Sequence, residues 1–212
     1  FQFDHLESVD EIIIEQDLDL KNKKVKNFKD YNSLLRSNNI VLDHNEREKI
    51  ILKKINSTSK SKDYKEILNS KLLEEVVNIV EDPNVLLVNF NKEYLKIPQE
   101  IIISTLEKHQ RYFPIFDSRG RLTNNFFVVA NKKDEKKFIT IGNKRVVEAR
   151  LADAKFFWDK DRSKNLIKQI ANLKTVTFYE KLGTIYDKTQ RIRKIAAMLS
   201  DDLNLNKEKI QI

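Results

Sequence analysis

The chain has 212 residues, 40 Lys and Arg against 32 Asp and Glu, a formal net charge of +8, 40% hydrophobic residues and no cysteine. That size supports a packed core, the missing cysteines exclude disulfides and cysteine-ligated metals, and no run approaches the roughly 20 apolar residues of a membrane-spanning helix. The positive balance favours polyanion partners, because phosphates neutralised by Lys or Arg release counterions, although a composition rich in Asn, Lys and Ile carries the same excess without any RNA surface.

Three glycines and three prolines leave few tight turns, so helix should dominate. Residues 1–27 read as extended or irregular, with "EIIIEQ" a strand and "KNKKVKN" a basic turn. The first residue is Phe1 and nothing nearby has the basic start and apolar stretch of a secretion signal, so the chain reads as a cytoplasmic piece of something longer. "FKDYNSLLRSNN" places Phe28, Tyr31, Leu34 and Leu35 on one helical face, and a second helix over roughly 43–56 turns Ile50, Ile51 and Ile55 inward. "NSTSKSKDYK" (56–65) lacks periodicity and is expected to be a mobile connection. Leu72, Leu73, Val76, Val77 and Val80 then recur at helical spacing before Pro83, and "NVLLVNF" reads as a short buried strand.

Pro98 suits the opening of another helix, with Ile101, Ile102, Thr105 and Leu106 on one side. "FPIF" and "NFFVVAN" flank "DSRGRL", where Asp117 and Gly120 supply turn chemistry, which predicts a hairpin near 113–130. "RVVEARLADAKFFWDKDRSK" (145–164) is a helix of about four turns with Val147, Leu151, Ala154 and Trp158 inward and Arg150, Asp153 and Phe157 in a second row. A last helix runs to about Leu203 with Ile185, Ile192, Ile195, Ala196 and Leu199 inward, a stripe that needs a cover; ending in "NLNKEKIQI" reads as a cut near a domain junction. Helices mixed with short strands, without βαβ alternation, make an α+β fold followed by a helical C-terminal segment.

Phosphate-loop, dinucleotide, serine-hydrolase and zinc-protease signatures are all missing, and His5, His44 and His109 are too scattered for a metal set. "EKHQRYFP" crowds His109, Gln110, Arg111 and Tyr112 into one turn. These groups could bind a nucleotide, or His109 and Arg111 could cap a helix while Tyr112 and Phe113 enter the core. The clusters "KNKK", "KKDEKK", "DKDRSK" and "RIRK" are each explained by solvation, and together could line an RNA-facing surface.

The segments "LLEEVVNIVEDPNVLLVNF", "KIPQEIIISTLEKHQRYFPIFDSRGRLTNNFFVVAN", "GNKRVVEARLADAKFFWDKDR" and "LKTVTFYEKLGTIYDKTQRI" resemble, in wording, order and spacing, the β subunit of the bacterial heterotetrameric glycyl-tRNA synthetase. The resemblance is specific from about Leu72 to Ala197; "HQRYFP" and the "GN…RV…ARLADA…FF" run are its most diagnostic pieces, while "FYEKLG" departs from the family's "FQEKLG". It implies an internal fragment: residues 1–174 part of a region similar to the editing-type domain of phenylalanyl-tRNA synthetase β chains, and 175–212 the start of a His-Asp-type helical domain. It also implies a division of labour. The α subunit activates glycine with ATP and Mg, this fragment needs no cofactor, and the β subunit recruits and orients tRNA-Gly.

The expected role is therefore a non-catalytic portion of a glycine–tRNA ligase. Candidate nucleic-acid contacts are Arg111, Arg119 and Arg121 around the hairpin and Arg145, Arg150 and Lys155 on the long helix, with no catalytic or metal-binding residue assigned. Two alternatives stay open: a stand-alone RNA-binding module, and a tRNA-editing hydrolase, for which the sequence offers no nucleophile and base pair.

Overall fold

The computed structural model describes residues 2–3, 6–7, 11–16, 19–65 and 68–203. By its internal contacts the chain forms two compact units, residues 1–155 and 156–212. His5 and the terminal "NLNKEKIQI" from residue 204 onward lie outside the described residues.

In the first unit, β1 (Gln2–Phe3) pairs with β2 (Leu6–Glu7), and β3 (Glu11–Gln16) pairs antiparallel with β4 (Asp19–Lys24). The basic turn expected at "KNKKVKN" is thus half strand: Lys21 to Lys24 are paired residue for residue with Ile14 to Glu11, and cross-strand pairing overrides local turn preference. Helix α1 (Phe28–Ser37) starts where the Asn27 side chain accepts the Asp30 amide, and α2 (His44–Lys62) where Asp43 accepts the Asn45 amide. Leu35 is buried as expected, but Phe28 is 68% exposed at the first helical position.

The mobile connection expected at 56–65 is instead the last two turns of α2, followed by β5 (Tyr64–Lys65). The hydroxyls of Ser57 and Thr58 both donate to the Lys54 carbonyl and that of Ser61 to the Thr58 carbonyl, so they bond within the helix. Ser59 continues the Ile51, Ile55 face and is buried. A small residue there lets α2 approach its neighbours, and hydropathy alone hides that.

Helix α3 (Ser70–Ile79) buries Leu72, Leu73, Val76 and Val77. After β6 (Asn84–Asn89) and a 3₁₀ turn (Lys92–Lys96), α4 (Gln99–Ser104) opens behind Pro98 and widens into a π turn (Thr105–His109). The predicted hairpin follows as β7 (Phe113–Asp117) and β8 (Leu122–Ala130), and then the 25-residue helix α5 (Phe138–Arg162). The sheet order is β5-β7-β8-β6, antiparallel throughout.

Strand alternation sends side chains to two faces. Phe113, Phe127 and Leu87 form one cross-strand row and pack with Ile51, Ile55, Leu72, Val76 and Val77 of α2 and α3. Val88, Phe126 and Pro114 form the row on the opposite face, where Tyr112 and Phe90 stack on Phe126 with ring centroids 5.3 and 6.3 Å away. "NVLLVNF" was expected to be buried; β6 is instead the sheet's edge, and only Val88 along it is buried.

The second unit holds α6 (Leu166–Gln169), a 3₁₀ turn (Ile170–Thr175), the small pair β9 (Thr177–Tyr179) and β10 (Gly183–Thr184), and α7 (Ile185–Asp202). The expected inward stripe of α7 is uncovered: Ile192, Ile195 and Leu199 are each more than half exposed, and Ser200 is the one buried residue described in this unit. On α5, Val147 and Leu151 are fully buried as expected, while Ala154 and Trp158 are half-buried. No helix among the described residues is long and apolar enough to cross a membrane.

Phe126→Ala should lower the unfolding free energy by about 3–5 kcal/mol, the range for truncating a fully buried aromatic. Phe138→Ala, at a 73% exposed position, should change it by less than about 0.5 kcal/mol. Urea denaturation of both variants checks the assignment of inside and outside.

Candidate nucleic-acid interface

The candidate cations fall into two groups. The first sits on the β7–β8 turn, where Gly120 adopts a φ of 77° and its amide donates to the Asp117 carbonyl at 2.8 Å. Asp117 Oδ1 accepts the amides of Arg119 and Arg121 at 3.0 and 2.8 Å, and Oδ2 accepts the Arg121 Nε–H at 2.8 Å. The Arg121 amide and guanidinium hold the Asp117 carboxyl below its ordinary range, against the opposing effect of burial. Arg121 is therefore engaged, whereas the Arg119 side chain is exposed and makes no hydrogen bond or ion pair with the described residues. Lys65 on β5 brings its amine to 3.9 Å from where a Gly120 Cβ would stand, so three cations share this end of the sheet. Lys65 escaped the sequence reading because it lay in the presumed mobile connection.

The others lie on the turn before β7 and on α5, where Tyr112 stands at the opposite end of β7, about 16 Å away along five strand residues. Its hydroxyl donates to Asn143 Oδ1, and Asn143 Nδ2 donates back to the Ile139 carbonyl at 2.7 Å. Burial pushes the Tyr112 phenol above its ordinary pKa, with the nearby Arg150 guanidinium pulling the other way. The "HQRYF" turn and the "GN" segment, 31 residues apart, are thus joined by one side-chain hydrogen bond.

Arg111 resolves toward the capping alternative. It sits at φ 60°, its guanidinium donates to the Lys108 carbonyl and pairs with the Glu75 carboxylate, and the Tyr112 amide closes the turn on the Leu106 carbonyl at 2.9 Å. Arg145 and Arg150 are exposed on α5, off the face that carries Val147 and Leu151, and neither makes a hydrogen bond or ion pair with the described residues. Lys155 is half-buried. The six candidates do not form one patch.

Two grooves lie on the first unit's surface among the described residues. One, about 520 Å³, runs between Lys54 and Thr58 of α2, the β6 residues Val85, Leu87 and Asn89, and Lys137 and Thr140 at the start of α5. The other, about 300 Å³, lies between α2 and α3 and includes His44, Glu48, Ser70 and Glu74. Ser70 and His44 are not hydrogen-bonded to each other in this groove. His109 is exposed at the end of the π turn, and no group of three His, Asp or Glu among the described residues could hold a metal ion.

A family model described as glycyl-tRNA synthetase beta subunit matches residues 1–211. Among curated relatives, a protein of Clostridioides difficile (strain 630) is 42% identical over 187 residues, 88% of this chain and 27% of its own length. One from Listeria monocytogenes serotype 4a (strain HCC23) is 38% identical over 192 residues, 90% of this chain and 28% of its own. One from Thermodesulfovibrio yellowstonii is 40% identical over 174 residues, 82% of this chain and 26% of its own. All three are named glycine–tRNA ligase beta subunit, and the chain spans little more than a quarter of their length.

The Asp117 geometry has a pH consequence. Its folded-state pKa lies below the unfolded value, so its contribution to stability is present above the usual carboxylate range near about 4 and is lost as pH falls through the depressed value. Thermal melts from about pH 7 down to about pH 2 should show a steeper acid loss for the native chain than for Asp117→Asn. Superimposable curves would mean that the ionised carboxylate does not stabilise the turn.

Proposed function

The chain belongs to the glycyl-tRNA synthetase β-subunit family, and from that premise we propose that it is a non-catalytic portion of a glycine–tRNA ligase that helps bind and orient tRNA-Gly and assemble the subunits. Activation of glycine, with its ATP and Mg, is assigned to the α subunit, and the whole assembly to the cytoplasm. Family membership carries this reading. It is supported by the lack of any phosphate-loop or dinucleotide signature and by a positive net charge.

Within the fragment, residues 1–174 are read as part of the region similar to the editing-type domain of phenylalanyl-tRNA synthetase β chains, and 175–212 as the start of a His-Asp-type helical domain. The tRNA contact is assigned first to Arg145, Arg150 and Arg119, whose exposed guanidiniums have no partner among the described residues. Arg121, Lys155 and Arg111 come second, since two of these cations already hold the turn or the helix end in place and Lys155 is half-buried. A guanidinium with no internal partner meets a phosphate without first breaking a bond within the fold.

The test is fluorescence anisotropy of labelled tRNA-Gly titrated with the β subunit at several salt concentrations, with an unrelated tRNA as control. Replacing both Arg145 and Arg150 by Gln should weaken binding and reduce the slope of log K against log salt by about 2, one for each phosphate contact, with the melting temperature unchanged. An unchanged slope would move the tRNA surface off α5.

A further inference from the structure

Strand β6 is one edge of the four-stranded sheet, and the middle of that edge has no hydrogen-bond partner among the described residues. The Phe90 amide donates to the Asn124 carbonyl at 3.0 Å. Antiparallel alternation from that pair directs the backbone groups of Leu86 and Val88 toward β8 and those of Val85, Leu87 and Asn89 away from it. None of these outward groups makes a hydrogen bond with the described residues.

One end of this edge is closed: the next outward amide, that of Asn91, donates to the Glu148 carboxylate of α5 at 2.9 Å. Before the other end of β6 the amides of Glu81 and Asp82 reach Asn131 Oδ1, just past β8, at 2.8 and 3.3 Å, on the side that is already paired. Edge strands usually carry a device against further pairing, such as a lysine, a proline or a bulge. "NVLLVN" has no charge and no proline, and its register with β8 runs unbroken over six pairs.

The 520 Å³ groove lies along this open stretch, with Lys54 on one side and Lys137 on the other. The one acid in its lining, Asp134, is already used: its carboxylate accepts the amides of Ile139 and Thr140 at 2.9 and 2.8 Å and the Thr140 hydroxyl at 2.5 Å. The groove therefore offers strand hydrogen bonds flanked by two lysine amines.

We propose that in the full-length β subunit this edge is completed by an extended segment of the same polypeptide, from outside these residues, which pairs with β6 and sets a carboxylate against Lys54 or Lys137. The donor is assigned to the same chain because relatives are more than three times as long as their match to it, and a tethered segment reaches its site at about millimolar effective concentration. The stretch from Val85 to Asn89 spans about 13 Å, so about five residues of the donor suffice. The inference rests on family membership and is independent of where tRNA binds.

Hydrogen exchange at single-residue resolution on the full-length β subunit tests it. The amides of Val85, Leu87 and Asn89 should exchange within about tenfold of those of Leu86 and Val88, and outward amides exchanging more than about a hundredfold faster would overturn the proposal. Lys54→Glu combined with Lys137→Glu should speed exchange at Val85 and Leu87 by about tenfold or more while Leu86 and Val88 stay slow; unchanged rates would overturn the carboxylate contact. A photoreactive benzoylphenylalanine in place of Thr58 identifies the donor. Cross-links to an Asp- or Glu-bearing segment of the same chain are expected, and links confined to the α subunit or to a second β subunit would overturn the assignment.

Discussion

Strand β8 is hydrogen-bonded on both sides, to β6 over six residue pairs and to β7 across the hairpin, and its consecutive residues Phe126 and Phe127 are both buried because each enters a different layer. Phe127 joins the cluster built by α2 and α3, while Phe126 carries the stack of Tyr112 and Phe90 on the other face. Two apolar layers thus depend on one backbone ladder. A register slip by one residue would exchange the two faces, and the aligned rows Phe113–Phe127–Leu87 and Pro114–Phe126–Val88 set that register.

Two polar contacts tie α5 to the ends of that sheet, besides the burial of Val147 and Leu151. Asn143 accepts from Tyr112 at the start of β7, and Glu148 accepts from Asn91 just beyond β6. The first of these joins "EKHQRYFP", where the sequence offers a nucleotide contact, to α5, and such bonds show how chemistry-bearing residues are divided. Arg111, Arg121, Arg36 and Arg47 hold turns, helix ends or carboxylates, Arg47 alone reaching the carbonyls of Val41, Leu42 and Val77. A net charge of +8 consequently overstates the cationic surface left for a polyanion.

What the sequence disclosed follows from which interactions are local. Helix α3 was legible because its apolar residues recur at the helical period, and the β7–β8 hairpin because Asp117 and Gly120 carry the turn themselves. The second half of α2 was illegible because its hydroxyls bond to the carbonyls of the preceding turn and its packing residue is a serine. For β6 an apolar run signalled a strand but held no information about how many neighbours it has. The α7 stripe was read as inward since amphipathicity reports a demand for burial, and its exposure shows that this demand is unmet among the described residues. In the candidate site, Arg119 and Arg121 were brought together by local turn chemistry, whereas the Tyr112–Asn143 bond links residues 31 apart and left no trace in spacing.

The two unmet demands differ in how tightly they specify what meets them. Ile192, Ile195 and Leu199 ask for the removal of apolar area from water, which is non-directional and which many surfaces of suitable size can supply. Val85, Leu87 and Asn89 present alternating backbone donors and acceptors, which require a partner in extended conformation and in register. An apolar stripe therefore tolerates substitution in whatever covers it, while an open strand edge constrains the backbone of its partner and leaves that partner's sequence largely free. The lysines on either side restore some of that lost selectivity, because among segments able to lie extended they favour those with a carboxylate at the right step.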